Sequence, residues 1–369
     1  MVEKTVNPFD PNFGKIPKIY LGRQEIVNEV VESLKNGVGP YQTSLIYGMR
    51  GVGKTSLLAD ITKTFEEDDG WIVVYLAMTN DLMTTLIQSI YQEANSSLRK
   101  SLNKIEGVTF SALGFELGIT VSDPHSTYQV LLEEMLKKLK KAGKSLLIAI
   151  DEVKATEQVI NLASIYQIMV LKKYPINIMM TGLPKNVSEL QNNDVLTFLL
   201  RSGRIPLGPL NLFDVRFRYS KAFQRGNKKI DNEILTKVTQ MTKGYAYAFQ
   251  DLGYYLWQNS EDVIDENTLE ESLPEFKNDL FRNAYVKITN ELSATDRKIL
   301  LIMAKSNKEI VDISYIREKL GKTPGYMSAY RRRLLDSQII IDVGYGKIAF
   351  SLPFMKEFIL EEKQLYDLM

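Results

Sequence analysis

The chain has 369 residues, 44% of them apolar and 25% charged, with a net charge of +1, one histidine and no cysteine. That length predicts two or three domains, and that composition a folded globular chain rather than a disordered one. The near-zero charge excludes a global pull onto nucleic acid or membrane, and the missing thiols exclude disulfides and thiolate metal sites and fit a reducing cytoplasm.

The opening MVEKTVNPFDPNFG lacks the basic-then-apolar order of a signal peptide. The longest apolar runs, such as LLIAI at 146–150, fall far short of the ~20 residues of a membrane helix. The expectation is a cytoplasmic chain with no membrane partner. SLIY at 44–47 reads as a short buried strand, and TSLLADITKTF places Leu57, Leu58, Ile61 and Phe65 at helical spacing. Between them Gly48, Gly53, Lys54 and Thr55 spell G-x-x-x-x-G-K-T. Strand, glycine loop and helix form the setting in which backbone N–H groups turn inward around phosphate oxygens at a helix N-terminus. The cradle runs through Gly48, Met49, Arg50, Gly51, Val52, Gly53, Lys54, Thr55 and Ser56. Lys54 is expected on the β and γ phosphates and Thr55 on Mg²⁺.

WIVVYLAM at 71–78 reads as a second strand. GVTFSALGFELGITVS at 107–122 then alternates through Leu113, Phe115, Leu117, Ile119 and Val121, as a hairpin inserted in the domain would. His125 in SDPHS reads as an ordinary turn residue, and YQVLLEEMLKKLKKAGK at 128–144 as a helix. A lone histidine supports neither a zinc cluster nor a Ser-His-Asp triad. KSLLIAIDEV is a buried strand ending in Asp151 and Glu152. An acid at the C-terminal end of a central parallel strand can hold the Mg²⁺ shell, which is the role of Asp151. Glu152 is placed to polarise an attacking water, because a carboxylate accepts its proton. INIMMTGLP at 176–184 is a fourth strand, and its Thr181 can hydrogen-bond the γ-phosphate or the water. Arg201, preferred over Arg204, can reach a neighbour's γ-phosphate as a trans finger, and GRIPLGPL at 203–210 is a short fifth strand. The guanine-reading N-K-x-D and a D-x-x-G switch are missing, so the expected nucleotide is ATP. Alternating strands and helices predict an α/β parallel sheet covered on both faces.

Beyond residue 290 the pattern changes. SATDRKILLIMAKS opens with a capping serine, ISYIREKLG ends in glycine, TPGYMSAYRRRLLDSQII follows, and IIIDVGYGKIAFSLP alternates around Gly-Tyr-Gly. Three helices and a hairpin make a winged helix-turn-helix order. The third helix would offer Tyr326, Ser328, Tyr330, Arg331 and Arg332 to a groove, with Lys347 on the wing, while Leu334 and Leu335 face the core. Residues 322–347 hold five basic side chains against two acids, a net of +3. Three to four phosphate contacts would give a salt slope of roughly −3, weak for a lone monomer. Double-stranded DNA is the expected partner, helped by further subunits or a second contact; a protein partner is the alternative.

The segments IYLGRQEIVNEVVESL, GMRGVGKTSLL, LLIAIDE, MMTGLP and RIPLGPL resemble the AAA+ ATPases of the replication-initiator (origin-recognition-like) and archaeal ATPase group, over roughly residues 17–350. STAND switch ATPases share much of this pattern. The resemblance implies a P-loop NTPase sheet of order 5-1-4-3-2, an α-helical lid and a C-terminal winged helix. It places Ile19 to Arg23 beside the adenine and implies homo-oligomers that share ATP at their interface. TKGYAYAFQDLGYYLW at 242–257 resembles the segment of these ATPases that packs over the nucleotide in place of an arginine sensor, which brings Tyr245 to the site. Ala246 stands where the group has proline. With no lid arginine evident, slow hydrolysis is implied. The expected domains are an ATPase core at 1–210, with the hairpin near 107–122, a lid at 211–284 and a winged helix at 285–369. The expected function is an ATP-binding, slowly ATP-hydrolysing switch that controls duplex DNA binding. The alternative is a STAND-type signalling or defence ATPase whose winged helix contacts protein.

Overall fold

The computed structural model describes residues 6–12, 19, 23–79, 81–106, 108–111, 114–117 and 124–362. The chain divides into two compact units, one of residues 23–47 and 57–206, the other of residues 1–22, 48–56 and 207–369.

The first unit is built on a five-stranded parallel sheet. Its strands are β1 (Thr43–Tyr47), β2 (Trp71–Leu76), β3 (Ser145–Ile150), β4 (Ile176–Gly182) and β5 (Gly203–Pro206), in the order β2-β3-β4-β1-β5. Read from the far edge, this is the expected 5-1-4-3-2. All seven residues of β4 and residues 146–150 of β3 are buried. Unbroken apolar runs suit strands covered on both faces, where an alternating pattern would leave one face wet. Leu86, Ile87, Leu132, Leu136, Ile165 and Tyr166 come down from the flanking helices onto this sheet. The strands are shorter than their apolar runs suggest. Pro184 opens the helix Pro184–Gln191 directly after β4, a position where its missing N–H costs nothing.

Pro124 likewise opens the helix Pro124–Lys141, so His125 lies in a first helical turn rather than in the turn before it. Strands Val108–Ser111 and Gly114–Leu117 pair antiparallel, as a hairpin. Phe110 stacks on Tyr91 at 4.5 Å and packs with Val108 against the sheet's core. Leu113, Ile119 and Val121 lie outside the described residues.

The second unit begins with four helices, Leu212–Arg225, Asn232–Met241, Ala246–Asn259 and Glu266–Asp279. Their centre is aromatic: Phe9 lies 5.4–5.7 Å from Phe223, Tyr219 and Phe249, and the Tyr219 hydroxyl donates to the Phe249 carbonyl at 2.8 Å. Helices Ala294–Ala304, Ile313–Leu320 and Pro324–Asp336 follow, then strands Ile340–Gly344 and Lys347–Phe350. Val311–Asp312 completes a three-stranded sheet with that hairpin. Ser293 caps the first of these helices in a reciprocal box with Asp296, satisfying donors that the helix start leaves open. Gly321 ends the second in the left-handed conformation. Among the described residues no helix is long and apolar enough to cross a membrane.

One carboxylate in this unit is out of balance. Asp251, on the helix Ala246–Asn259, is fully buried, and among the described residues neither of its oxygens has a hydrogen-bond partner. Burial, with a smaller push from Asp279, raises its pKa to about 8. The folded chain therefore keeps a proton that the unfolded chain releases near pH 4. The associated stability is present below that pH and is lost as pH rises through about 8. Asp251→Asn should melt at least about 2 °C above the parent at pH 8, with the gap closing at pH 4, in thermal unfolding followed by circular dichroism.

Candidate functional site

The phosphate loop starts where β1 stops. Gly51 and Gly53 have φ of +74° and +90°, a region that side chains disfavour. Their backbone turns allow successive N–H groups to face inward before the helix Lys54–Glu66 begins. Met49 and Val52 are buried and anchor the loop. Lys54 is buried too, and its Nζ donates to the carbonyls of Gly48 at 3.0 Å and Met49 at 2.9 Å. These two carbonyls are neutral acceptors, weaker than the charged oxygens of a phosphate.

The loop is gripped by residues from far along the chain. The Tyr245 hydroxyl donates to the Arg50 carbonyl at 2.9 Å, and the Tyr247 N–H donates to the Gly51 carbonyl at 3.0 Å. A side chain on Gly51 would overlap the Tyr245 ring, which comes within 2.8 Å of where its Cβ would lie. Burial drives the Tyr245 phenol far above its ordinary pKa, so it stays a donor. The Arg50 guanidinium pairs with Glu291 at 2.8 Å. Residues 48–56 lie in the same compact unit as these C-terminal partners. Tyr245, which the resemblance implied as packed over the nucleotide, is bonded to the loop backbone in this structure. Glu291 was not foreseen, because a lone glutamate 241 residues away carries no local signal.

In the first unit the ends of β3 and β4 bring three predicted residues together. Thr181, fully buried, donates its hydroxyl to Asp151 Oδ1 and accepts from the Glu152 N–H at 3.1 Å. The Val153 N–H donates to the Thr181 carbonyl at 2.8 Å. Glu152 has φ of +54°, and its side chain is exposed. A non-glycine residue in that region is held by its surroundings; here the two bonds to Thr181 hold it. Thr181, expected to reach phosphate or water, is bonded here to both acids. One oxygen of Asp151 is aimed by Thr181, as a metal-ligating carboxylate needs.

For Mg²⁺ the donor types fit. The hydroxyl of Thr55 and the carboxylate of Asp151, the two expected donors, are hard oxygens of the kind Mg²⁺ prefers, and the ion takes few protein ligands because it keeps waters and phosphate. The described residues contain no cluster of three or more acids, histidines or cysteines. The Ile19 carbonyl accepts from Gln250 Nε2 at 2.6 Å, and the Arg23 carbonyl accepts from Val27 N–H at the start of the helix Gln24–Asn36. Arg201 ends the helical turn Asp194–Arg201 with an exposed side chain, and Arg204 is exposed on β5.

The third C-terminal helix presents its predicted residues unevenly. Tyr326 and Tyr330 pack on each other at 4.7 Å, half-buried, and Ser328 turns its hydroxyl back to the Pro324 carbonyl at 3.1 Å. Arg331 pairs with Asp342 of the hairpin. Arg332 is 86% exposed, with Asp336 no nearer than 3.9 Å. Arg333 binds the buried Asp296 at 2.6 Å and lies over the Tyr330 ring. Leu334 is fully buried as expected, but Leu335 is only half-buried, because the helix turns 100° per residue and the core takes the row of Met327 and Leu334. Lys347 is exposed, and so is Tyr345 at the hairpin turn, which the sequence reading passed over.

Residues 20–176 match the model of an ATPase domain predominantly from Archaea, and residues 282–359 match a domain family of unknown function. No curated protein matches the sequence. Among solved structures, the Walker-type ATPase PABY2304 of Pyrococcus abyssi superposes with a TM-score of 0.60 at 16% identity, over 93% of this chain and 96% of that one. The ORC2 protein of Aeropyrum pernix, in ADPNP–ADP complexes, superposes with a TM-score of 0.64 at 12% identity, over 97% and 98%. At such identities the likeness is one of fold.

Lys54→Ala should abolish binding of a fluorescent ATP analogue, measured by anisotropy. Thr181→Val, which keeps the shape and removes the hydroxyl, should leave that binding within a few-fold and slow turnover at least about tenfold, measured by phosphate release. Normal turnover in Thr181→Val would remove it from the site.

Proposed function

We propose that this chain, whose residues 20–176 match the model of an ATPase domain predominantly from Archaea, is an ATP-dependent switch that controls binding to double-stranded DNA. The observation that carries the reading is the grip of Tyr245, Tyr247 and Glu291 on the phosphate loop. Residues that follow the sheet in sequence hold the element that must receive the phosphates. A ligand that changes the loop must change its bonds to them, which couples nucleotide state to the C-terminal segments.

On this reading the core spans 1–210, the lid 211–284 and a winged helix 285–369. The loop from Gly48 to Ser56 cradles the phosphates, Lys54 moves from its own carbonyls onto them, and Thr55 and Asp151 hold Mg²⁺. The bound ion neutralises phosphate charge and orients the transferred group. Glu152 takes the proton of the attacking water, and Thr181 fixes both acids. Ile19 and Arg23 flank the base. Arg201 reaches the ATP of a neighbouring copy in a homo-oligomer. Hydrolysis is slow, because no lid arginine contributes and Ala246 begins a helix where the group has proline. Tyr326, Tyr330, Arg332 and Lys347 face duplex DNA.

A second reading has its own support. Arg331 and Arg333 are already paired with Asp342 and Asp296, which lowers the charge available to DNA phosphates and favours a protein partner, as in a STAND-type signalling or defence ATPase.

Two measurements separate these readings. Glu152→Gln should bind ATP like the parent and stop turnover; unimpaired hydrolysis would remove Glu152 as the base. Arg331→Ala/Arg332→Ala should weaken ATP-dependent, salt-sensitive binding to a labelled duplex in a mobility-shift titration. Parental affinity in that variant would end the DNA reading and leave the protein partner.

A further inference from the structure

Helix Leu212–Arg225 carries a surface that the winged helix does not use and that shares only Ile19 with the proposed nucleotide site. Its inner row is Val215, Tyr219, Ala222 and Phe223, all buried. Its outer row steps by four residues through Phe213, Phe217, Lys221 and Arg225, all exposed. Side chains four apart form a continuous ridge along a helix, here about 18 Å long. Phe213 is 74% exposed and Phe217 49%, an unusual display for two large aromatic rings so close together. Arg218 is exposed beside the ridge. Arg218, Lys221 and Arg225 form no ion pair among the described residues, and Lys221 lies 5.8 Å from the centre of the Phe217 ring. Asp214 is the helix's only acid. A cavity of about 400 Å³ opens at this face, lined by Phe217, Arg218, Lys221, Arg225 and, from other segments, Ile19 and Trp257.

We propose that this ridge and cavity bind single-stranded nucleic acid. The two phenylalanine faces supply a stacking platform for unpaired bases, which duplex DNA does not offer. The three cations supply the phosphate contacts, and their positive charge complements a polyanion on a chain whose net charge is only +1. The cavity takes a base turned out of the strand. An acidic peptide would use the cations and leave the rings idle. A membrane would need a wide free apolar face, whereas here the inner row is already buried. This surface is independent of the third C-terminal helix, so it stands or falls apart from the duplex reading.

The test uses the full chain and a labelled 20-nucleotide oligo-dT in anisotropy titrations. Binding should weaken with salt at a log–log slope of roughly −2, as for three phosphates on a single strand. Phe213→Ala/Phe217→Ala should lose at least about tenfold in affinity, and Lys221→Glu/Arg225→Glu at least as much, while duplex binding stays parental. Phe217→Trp should bind the oligonucleotide and show quenched emission on saturation, a readout that does not depend on a damaging substitution. The proposal is overturned by the absence of oligonucleotide binding, by parental affinity in either double variant, or by unchanged emission of Phe217→Trp. It is equally overturned if excess ATP displaces the oligonucleotide, which would assign the cavity to the nucleotide site. Equal affinity for poly-glutamate or for vesicles of anionic phospholipid would overturn it too.

Discussion

The nucleotide site proposed for this chain depends on a loop of backbone that is held from outside itself. Two left-handed glycines let the segment from Gly48 to Gly53 turn its amides inward, and the same freedom would let it collapse elsewhere. What holds it is a phenol that burial keeps protonated, seated on the Arg50 carbonyl at a place where any side chain on Gly51 would collide. Glycine at that position therefore serves two ends: it permits the turn, and it admits Tyr245. The Arg50–Glu291 pair adds a charged tie from the same loop to the approach of the C-terminal helices. A phosphate-binding element secured by such distant residues is suited to reporting its occupancy.

A similar economy governs the acid pair. One buried hydroxyl, Thr181, aims Asp151 and holds the Glu152 backbone in a conformation that side chains avoid. The positive φ at Glu152 turns its side chain outward to solvent, away from the strand's buried run. Strand β4 can place this threonine because every one of its residues is covered. A polar group at the end of such a strand must find partners, and the neighbouring strand end supplies them.

The C-terminal helices show charge used for architecture before recognition. Asp296 both closes the cap of the first helix and binds Arg333 of the third. Arg331 ties that third helix to the hairpin. What looks in sequence like a run of three arginines for a partner is, in the fold, two braces and one exposed head. The surface of helix Leu212–Arg225 shows the converse, cations left unbraced beside exposed rings.

The sequence by itself determined the phosphate loop, the five strands and their order, the capping serine and the acids that end β3. Each is a local signal, a motif or a period within a few residues, and the sheet order followed from a family resemblance carried by those motifs. Only the tertiary structure decided what those residues touch. Tyr245 meets Arg50 across 195 residues of chain and Glu291 meets it across 241. Arg333 finds Asp296, Thr181 spends its hydroxyl on Asp151, and Leu335 falls outside the core that takes Leu334. Hydrophobic period and motif spacing report which face of an element is covered. They carry no information on which distant side chain covers it, because that pairing is set by how the whole chain closes.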